Sequence, residues 1–552
     1  MNSPLPFLRI PPFPGARPRV GVAPALGPVT SDQAGTLALE IVRLRVGGAF
    51  WKAQPVLPPG RDVVLAPNTR QAASRMIADV EQAGQIARAM AVAPSAWFAG
   101  TPIPCVDPSV DPWHLVTQAD TIWAGGDDDL ALIAALDDRA VRVFGAGRFA
   151  ALADVPDRET ALRCLADVLA SAPMTDPFTG TPWDLAAAIT QLGDWRALID
   201  ENRVPKAIYG IARWKRITMD ALLWAGAGAV RYGGSPQLAA GDTVLAWSSR
   251  VSNRVISDLT AKGVRIGEIE DGMIRSQGLG ANCVPPLSVI VDHLGVHFDS
   301  SQSSALETIL SESHFAPEML ARAAALRARL IAVGLSKYGA TPPIAASTPA
   351  DKARRRILVP GQVEDDRSVL TGGGGMTNLE LLARARAREP DAHITYRPHP
   401  DVEAGHRKGH VAEVDALALA DTIERNGAIT DAIEAADALH VITSLAGFEA
   451  LMRGKQVVTH GVPFYAGWGL TKDHGVVPAR RGRPRTIDEL VAAVLILYPR
   501  YLDPVTRLPC PVEILVERLA AGDADISSPL VVLRTWQGKV SRLADRFGAR
   551  AR

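Results

Sequence analysis

Cysteine is scarce in this chain. Four residues (Cys105, Cys164, Cys283, Cys510) are scattered through 552 with no CxxC pair. Such spacing offers neither a zinc-ligand set nor a disulfide framework, and it fits a reducing compartment. Net charge is lacking too. Lys+Arg and Asp+Glu both number 59, which removes the bulk electrostatic case for nucleic acid as a partner. Long apolar runs are missing. Stretches such as 490–498 fall far short of a bilayer span. The proline-rich start MNSPLPFLRIPPFPGARPR has no apolar core of signal-peptide length. The expected location is therefore the cytoplasm, with any membrane contact peripheral, at the inner face of the inner membrane. No GxxxxGK[ST] occurs, so a nucleotide-hydrolysing P-loop is excluded.

What is present is enough chain for two to four domains, with the ordinary composition of a soluble globular protein. A diverged internal repeat organises it. DPFTGTP (176–182) resembles DPVTRLP (503–509), and VRVFGAGRFA (141–150) resembles VVTHGVPFYA (457–466). QADTIW (118–123) parallels AADALH (435–440), VVLAPNT (63–69) parallels ITYRPHP (394–400), and VGVAPALG (20–27) weakly parallels ILVPGQVE (357–364). The order is the same in both copies. In this alignment His399 falls opposite Asn68, Thr443 and Ser444 opposite Asp127 and Asp128, and Glu449 opposite Ile133. The first copy thus keeps apolar positions and loses polar ones.

Strand-like runs alternate with helical ones and carry polar residues at their C-terminal ends. That pattern predicts α/β structure with doubly wound, Rossmann-type sheets and ligands beyond the strand C-ends. The expected division is a degenerate repeat of a donor-binding half-module (1–203), a Rossmann-like domain (204–340), a linker (341–355), a second Rossmann-like domain (356–522) and a basic tail (523–552). Thr377 with Glu380, and Thr486 with Glu489, read as capping boxes. In the tail, Trp536, Val540, Leu543 and Phe547 recur at helical spacing among Lys and Arg. That fits an amphipathic helix on an anionic membrane surface or, more commonly, packing against the body.

Several sites bring chemistry to strand ends. In EIEDGMIRSQGLG, Asp271 suits a carboxylate nucleophile or base at a glycosyl centre. Glu270, adjacent in a strand, points to the opposite face. Gly272 allows a sharp turn and a close ligand approach. Arg275, Gly278 and Gly280 follow. Arg275 fits either a sugar carboxylate or a surface ion pair. His399, between Pro398 and Pro400 and beside Arg397, suits donation to a phosphate. Thr443 and Ser444, with the helix start behind them, form a phosphate cradle or a plain cap. Glu449 lies within reach of a ribose diol. Gln362 and Asp366 sit at a strand end before four consecutive glycines, which read as a phosphate-closing loop or a mobile linker. Ser248 and Ser249 end another strand. In GVPFYAGWGLT, Tyr465 and Trp468 offer either a stacking wall or core packing. Arg480, Arg481, Arg483 and Arg485 read as a solvated loop or as contacts to an anionic acceptor.

IEDGMIRSQGLG, PPLSVIVD, GQVEDDRS, TNLELL, YRPHPDV, TSLAGFEALMRGK, HGVPFYAGWGLT and LILYPRYLDPVT, spread over about 240–520, resemble the capsular polysaccharide biosynthesis β-Kdo transferases of the KpsC/LipA type. That resemblance implies a GT-B-like fold, a CMP-β-Kdo donor, no separate cofactor and no metal. It implies an anionic, lipid-linked Kdo oligosaccharide as acceptor, and capsule export machinery at the inner membrane as partner. Asp271 is then the nucleophile of a retaining, two-step displacement, with His399 on the CMP phosphate. Thr443, Ser444 and Glu449 hold phosphate and ribose. The chain departs from the pattern in having one complete module behind a half that lacks EDG and HP. It also has Trp247-Ser248-Ser249 where relatives often have Trp-Gly. Competing readings are a silent polysaccharide-binding scaffold for export, a different CMP- or UDP-sugar GT-B enzyme, and a GT-B-fold sugar epimerase.

Overall fold

The computed structural model describes residues 6–21, 28–153, 157–171, 174–234, 237–276, 284–337, 339–340, 354–405 and 407–523. Gly278 and Gly280, the linker over 341–353 and the tail from 524 lie outside them. The chain forms two compact units. One is Met1–Val204 with Leu223–Val230 and Thr506–Leu508. The other is Pro205–Leu222, Arg231–Val505 and Pro509–Arg552.

The first unit is built on one parallel sheet. Its strands are β1 (Val63–Ala66), β2 (Ala89–Val92), β3 (Cys105–Val106), β4 (Thr121–Gly125) and β5 (Ala140–Phe144), in the order β3-β2-β1-β4-β5. The central strand is a continuous apolar run, VVLA, buried at every position, as a sheet covered on both faces requires.

The second unit carries two larger sheets. One contains β6 (Pro205–Tyr209), β7 (Thr243–Ala246), β8 (Arg265–Asp271) and β9 (Ser288–Asp292). A short hairpin, β10 (Leu335–Ser336) and β11 (Gly339–Ala340), follows. The other large sheet contains β12 (Arg356–Pro360), β13 (His393–Arg397), β14 (Thr422–Ile423), β15 (Ala438–Val441), β16 (Gln456–Thr459) and β17 (Lys472–Asp473), all parallel, in the order β14-β13-β12-β15-β16-β17. Its core packs Ile357, Val359, Ile394 and Tyr396 against Leu381, Leu382 and Ala385 of the helix Asn378–Arg388. Both expected capping boxes form, Thr377 with Glu380 and Thr486 with Glu489.

Two expectations need correction. The domain drawn as 356–522 is not continuous. β18 (Pro499–Leu502) and β19 (Pro509–Cys510) join the other sheet, β18 pairing antiparallel with β9. That sheet is therefore mixed: only β6, β7 and β8 run parallel. β18 covers the β9 edge, and β19, only two residues long, pairs with β18 as the new edge, short enough to discourage further pairing.

The repeat is displaced by one strand over part of its length. β1 lies centrally between β2 and β4, as β12 lies between β13 and β15, so VVLAPNT matches ILVPGQ rather than ITYRPHP. Pro94, which precedes the turn Ser95–Trp97, then stands where His399 precedes the helix Pro400–Glu403, and Asn68 stands where Gln362 does. The later half of the alignment agrees with the topology. Asp128 caps the helix Asp129–Leu136 as Ser444 caps Leu445–Met452. The error arose because Pro-Asn and Pro-His after an apolar run look alike in sequence, while strand order is invisible there.

Candidate active site

β8 carries Glu268, Glu270 and Asp271 to its C-terminal end, and strand alternation separates the last two. Asp271 faces Lys215 and Arg275, while Glu270 faces Arg367. Arg275 donates from Nε to Asp271 Oδ2 at 2.8 Å, and from its terminal nitrogens to Ser276 Oγ (2.7 Å) and the Val284 carbonyl (3.0 Å). The guanidinium is buried and bound on three sides. Arg275 is placed to orient Asp271 rather than to greet a sugar carboxylate.

Asp271 Oδ1 accepts no hydrogen bond among the described residues. Its neighbour is Lys215 Nζ at 3.6 Å, close enough for an ion pair and too far for a hydrogen bond. Burial alone would raise the carboxyl's pKa. The charges of Lys215, Arg275 and Lys337 outweigh it and hold Asp271 below the ordinary carboxylate range, so it is ionised at neutral pH.

Glu270 differs. Burial pushes it up to about 7, against Arg367. Arg367 donates to Glu270 Oε1 at 3.1 Å and to Glu268 Oε1 at 3.3 Å, reaching from the helix Arg367–Gly372 after β12 to the end of β8. Gly272 is required by packing rather than by a ligand, because its missing Cβ leaves room for Ser288 Oγ.

Lys215 is the residue that sequence reading missed. It ends the short turn Arg213–Lys215 after β6, with its side chain 7% exposed and Nζ 3.0 Å from the centroid of the Trp247 ring. Burial pulls it down to about 8, with Asp271 opposing. The signal was available, since GIARWKR follows a strand end just as EDG and HP do. Ser248 and Ser249 lie just beyond Trp247 in a single turn, Ser249 exposed.

On the second sheet, His399 caps Pro400–Glu403, and its Nδ1 accepts the Asp401 N–H at 3.2 Å. The neutral ring therefore carries its proton on Nε2, as a donor. Burial holds its pKa below the ordinary histidine range, with Asp401 and Asp366 opposing. Asp366 caps Arg367–Gly372 through Ser368. Arg397 holds the carbonyls of Asn426 and Gly427 and pairs with Glu424.

Gln362 links the two strand ends. Its Nε2 donates to Thr443 Oγ1 at 3.1 Å, and its Oε1 accepts the Thr443 N–H at 2.9 Å. Ser444 Oγ caps the eight-residue helix Leu445–Met452 by accepting the Ala446 N–H at 3.2 Å. Glu449 is enclosed beside a cavity of about 20 Å³ lined by Met273, Ile274, Lys337 and Leu445. Burial pushes it up to about 7, against Arg453 and the Lys337 backbone N–H.

The aromatic wall is a correction. Tyr465 and Trp468 are both 0% exposed, the phenol donating to the Ser444 carbonyl and the indole to the Phe464 carbonyl. Their rings satisfy the core and offer no face to a ligand. The arginine loop is likewise committed. Arg480 and Arg481 share Glu307, Arg483 donates to the Ser311 carbonyl, and Arg485 donates to the carbonyls of Leu310 and Ser313.

The sequence profile of the capsule polysaccharide biosynthesis protein family matches residues 242–338 and 322–501. The capsule polysaccharide modification protein LipA of Neisseria meningitidis is 37% identical over 339 residues, 60% of this chain and 48% of LipA. The lipopolysaccharide-processing protein LpsZ of Rhizobium meliloti is 42% identical over 243 residues, 43% of this chain and 54% of LpsZ. The chain thus spans about half the length of the curated relatives it matches. The solved structure of Thermosulfurimonas dismutans KpsC, beta Kdo 2,7 transferase, is 32% identical, covering 57% of this chain and 99% of that one with a TM-score of 0.46. Its beta Kdo 2,4 transferase counterpart is 28% identical, with 57% and 98% covered and a TM-score of 0.49. The matched segments contain EDG, HP and the Thr443–Glu449 stretch, and residues 242–501 of this chain carry the sequence profile of the capsule polysaccharide biosynthesis protein family.

Proposed function

We propose that this chain is a glycosyltransferase that moves Kdo, an eight-carbon 2-keto-acid sugar, from CMP-β-Kdo to an anionic, lipid-linked Kdo oligosaccharide, with retention at the anomeric carbon. The observation that carries this reading is Asp271. It is a partly buried carboxylate at a strand C-end, kept ionised by two flanking cations, with one oxygen free of hydrogen bonds among the described residues. The solved KpsC relatives are described as Kdo transferases, which supports the sugar.

In the first step Asp271 Oδ1 bonds to the anomeric carbon as the bond to the phosphate oxygen breaks. CMP departs with the electron pair, its phosphate met by His399 Nε2–H and the N-terminus of Leu445–Met452. In the second step an acceptor hydroxyl bonds to the same carbon from the opposite side, the bond to Asp271 breaks, and the hydroxyl proton passes to a base. Two inversions give net retention.

The test is incubation with CMP-β-Kdo and a Kdo-terminated glycolipid, following CMP release and the anomeric configuration of the product. Transfer that persists in Asp271→Ala removes the nucleophile assignment. No CMP release by the unaltered chain removes the transferase.

A further inference from the structure

Asp271 is held between two cations. Lys215 Nζ stands 3.6 Å from its Oδ1 and Arg275 Nε 2.8 Å from its Oδ2, while Glu268 and Glu270 pair with Arg367 instead. A second carboxylate brought beside Asp271 would be repelled by it unless a cation already stood between the two.

Lys215 is pinned against Trp247 and paired with Asp271 Oδ1, the oxygen that lacks a hydrogen-bond donor among the described residues. At 3.6 Å the pair leaves the three N–H donors of the ammonium room for a second acceptor.

We propose that Lys215 is the specificity-determining residue for the donor sugar, binding the carboxylate attached directly to the anomeric carbon and so restricting the site to 2-keto-acid sugars. This rests on the transferase reading above. When Asp271 Oδ1 stands about 3 Å from the anomeric carbon, a carboxylate on that carbon lies beside the oxygen itself and within reach of Nζ. An aldose carries only hydrogen there. Two carboxylates so close repel, and a cation between them offsets the repulsion. The buried ammonium is thus an asset with a keto-acid donor and a liability with any other.

The experiment is steady-state kinetics of CMP release at about pH 7, where Lys215 keeps its proton and Asp271 is ionised, together with the pH profile on either side. Lys215→Met and Lys215→Arg are compared with the unaltered chain, and CMP serves as a competitive inhibitor. The expected result is a donor KM raised at least tenfold in Lys215→Met with the CMP inhibition constant within twofold of the unaltered chain, and a donor KM substantially recovered in Lys215→Arg. A lysine that only keeps Asp271 charged would instead shift the acid limb of the pH profile and leave the donor KM on the plateau above that limb unchanged, and that outcome overturns the proposal. Equal weakening of donor and CMP would mark a collapsed pocket and overturn it too. An unaltered chain that releases no CMP from CMP-β-Kdo defeats the transferase reading itself, which separates the two failures.

Discussion

Glu270→Gln should make the protein more stable at alkaline pH. The side chain is 17% exposed, and burial raises its pKa from 4.5 to about 7. Each pH unit of that difference is worth 1.36 kcal/mol, so ionising Glu270 costs the folded chain about 3 kcal/mol relative to the unfolded one. The folded pKa lies above the unfolded one. The associated stability is therefore fully present below the unfolded pKa and is lost as pH rises through about 7. Glutamine keeps the shape and stays neutral throughout. At about pH 4 the variant and the unaltered chain should unfold together. At about pH 8 the variant should be more stable by roughly 3 kcal/mol, or about 4 °C for a unit of this size. Calorimetry of the variant and the unaltered chain at both pH values measures the gap. A gap that does not change with pH would refute the reasoning, and a less stable variant at pH 8 would mean that Arg367 more than compensates the buried charge.

Asp271→Asn should abolish CMP release while calorimetric CMP affinity stays within twofold; a large loss of affinity would place Asp271 on the nucleotide instead. His399→Ala should weaken CMP binding roughly ten- to hundredfold, the worth of about 1.5–3 kcal/mol for a hydrogen bond to a charged group, read by the same titration. Glu307→Ala should destabilise the second unit by about 3–5 kcal/mol. It strips the carboxylate shared by Arg480 and Arg481, the latter only 1% exposed, and the urea midpoint of that unit would show it.

Much of the site was legible because the chemistry sits where strands end. EDG and HP were read from an apolar run followed by an ionisable residue. Both lie at the C-terminal ends of strands, where an α/β sheet leaves side chains uncovered. Helix starts were equally readable. Thr377 with Glu380 and Thr486 with Glu489 interact over three residues, and no distant part of the chain can alter that. Tyr465 and Trp468 were not readable in the same way. An aromatic between glycines has the same sequence whether it lines a cleft or fills a core, and only the burial of both rings distinguishes them.

The sequence by itself determined the α/β character, the internal duplication, the helix caps and the identity of the two chemical motifs. All of these rest on local periodicity or on short-range hydrogen bonds. Only the tertiary structure decided which strands are neighbours. It returned β18 to the sheet of β8 and shifted the duplication by one strand. It also set Lys215, 56 positions before Asp271 in the chain, 3.6 Å from its carboxylate. Strand order and charge pairing of this kind depend on long-range contacts, whose burial and Coulomb energies are earned only after the chain has closed. A lysine in RWKR carries no mark of the partner that folding will bring to it.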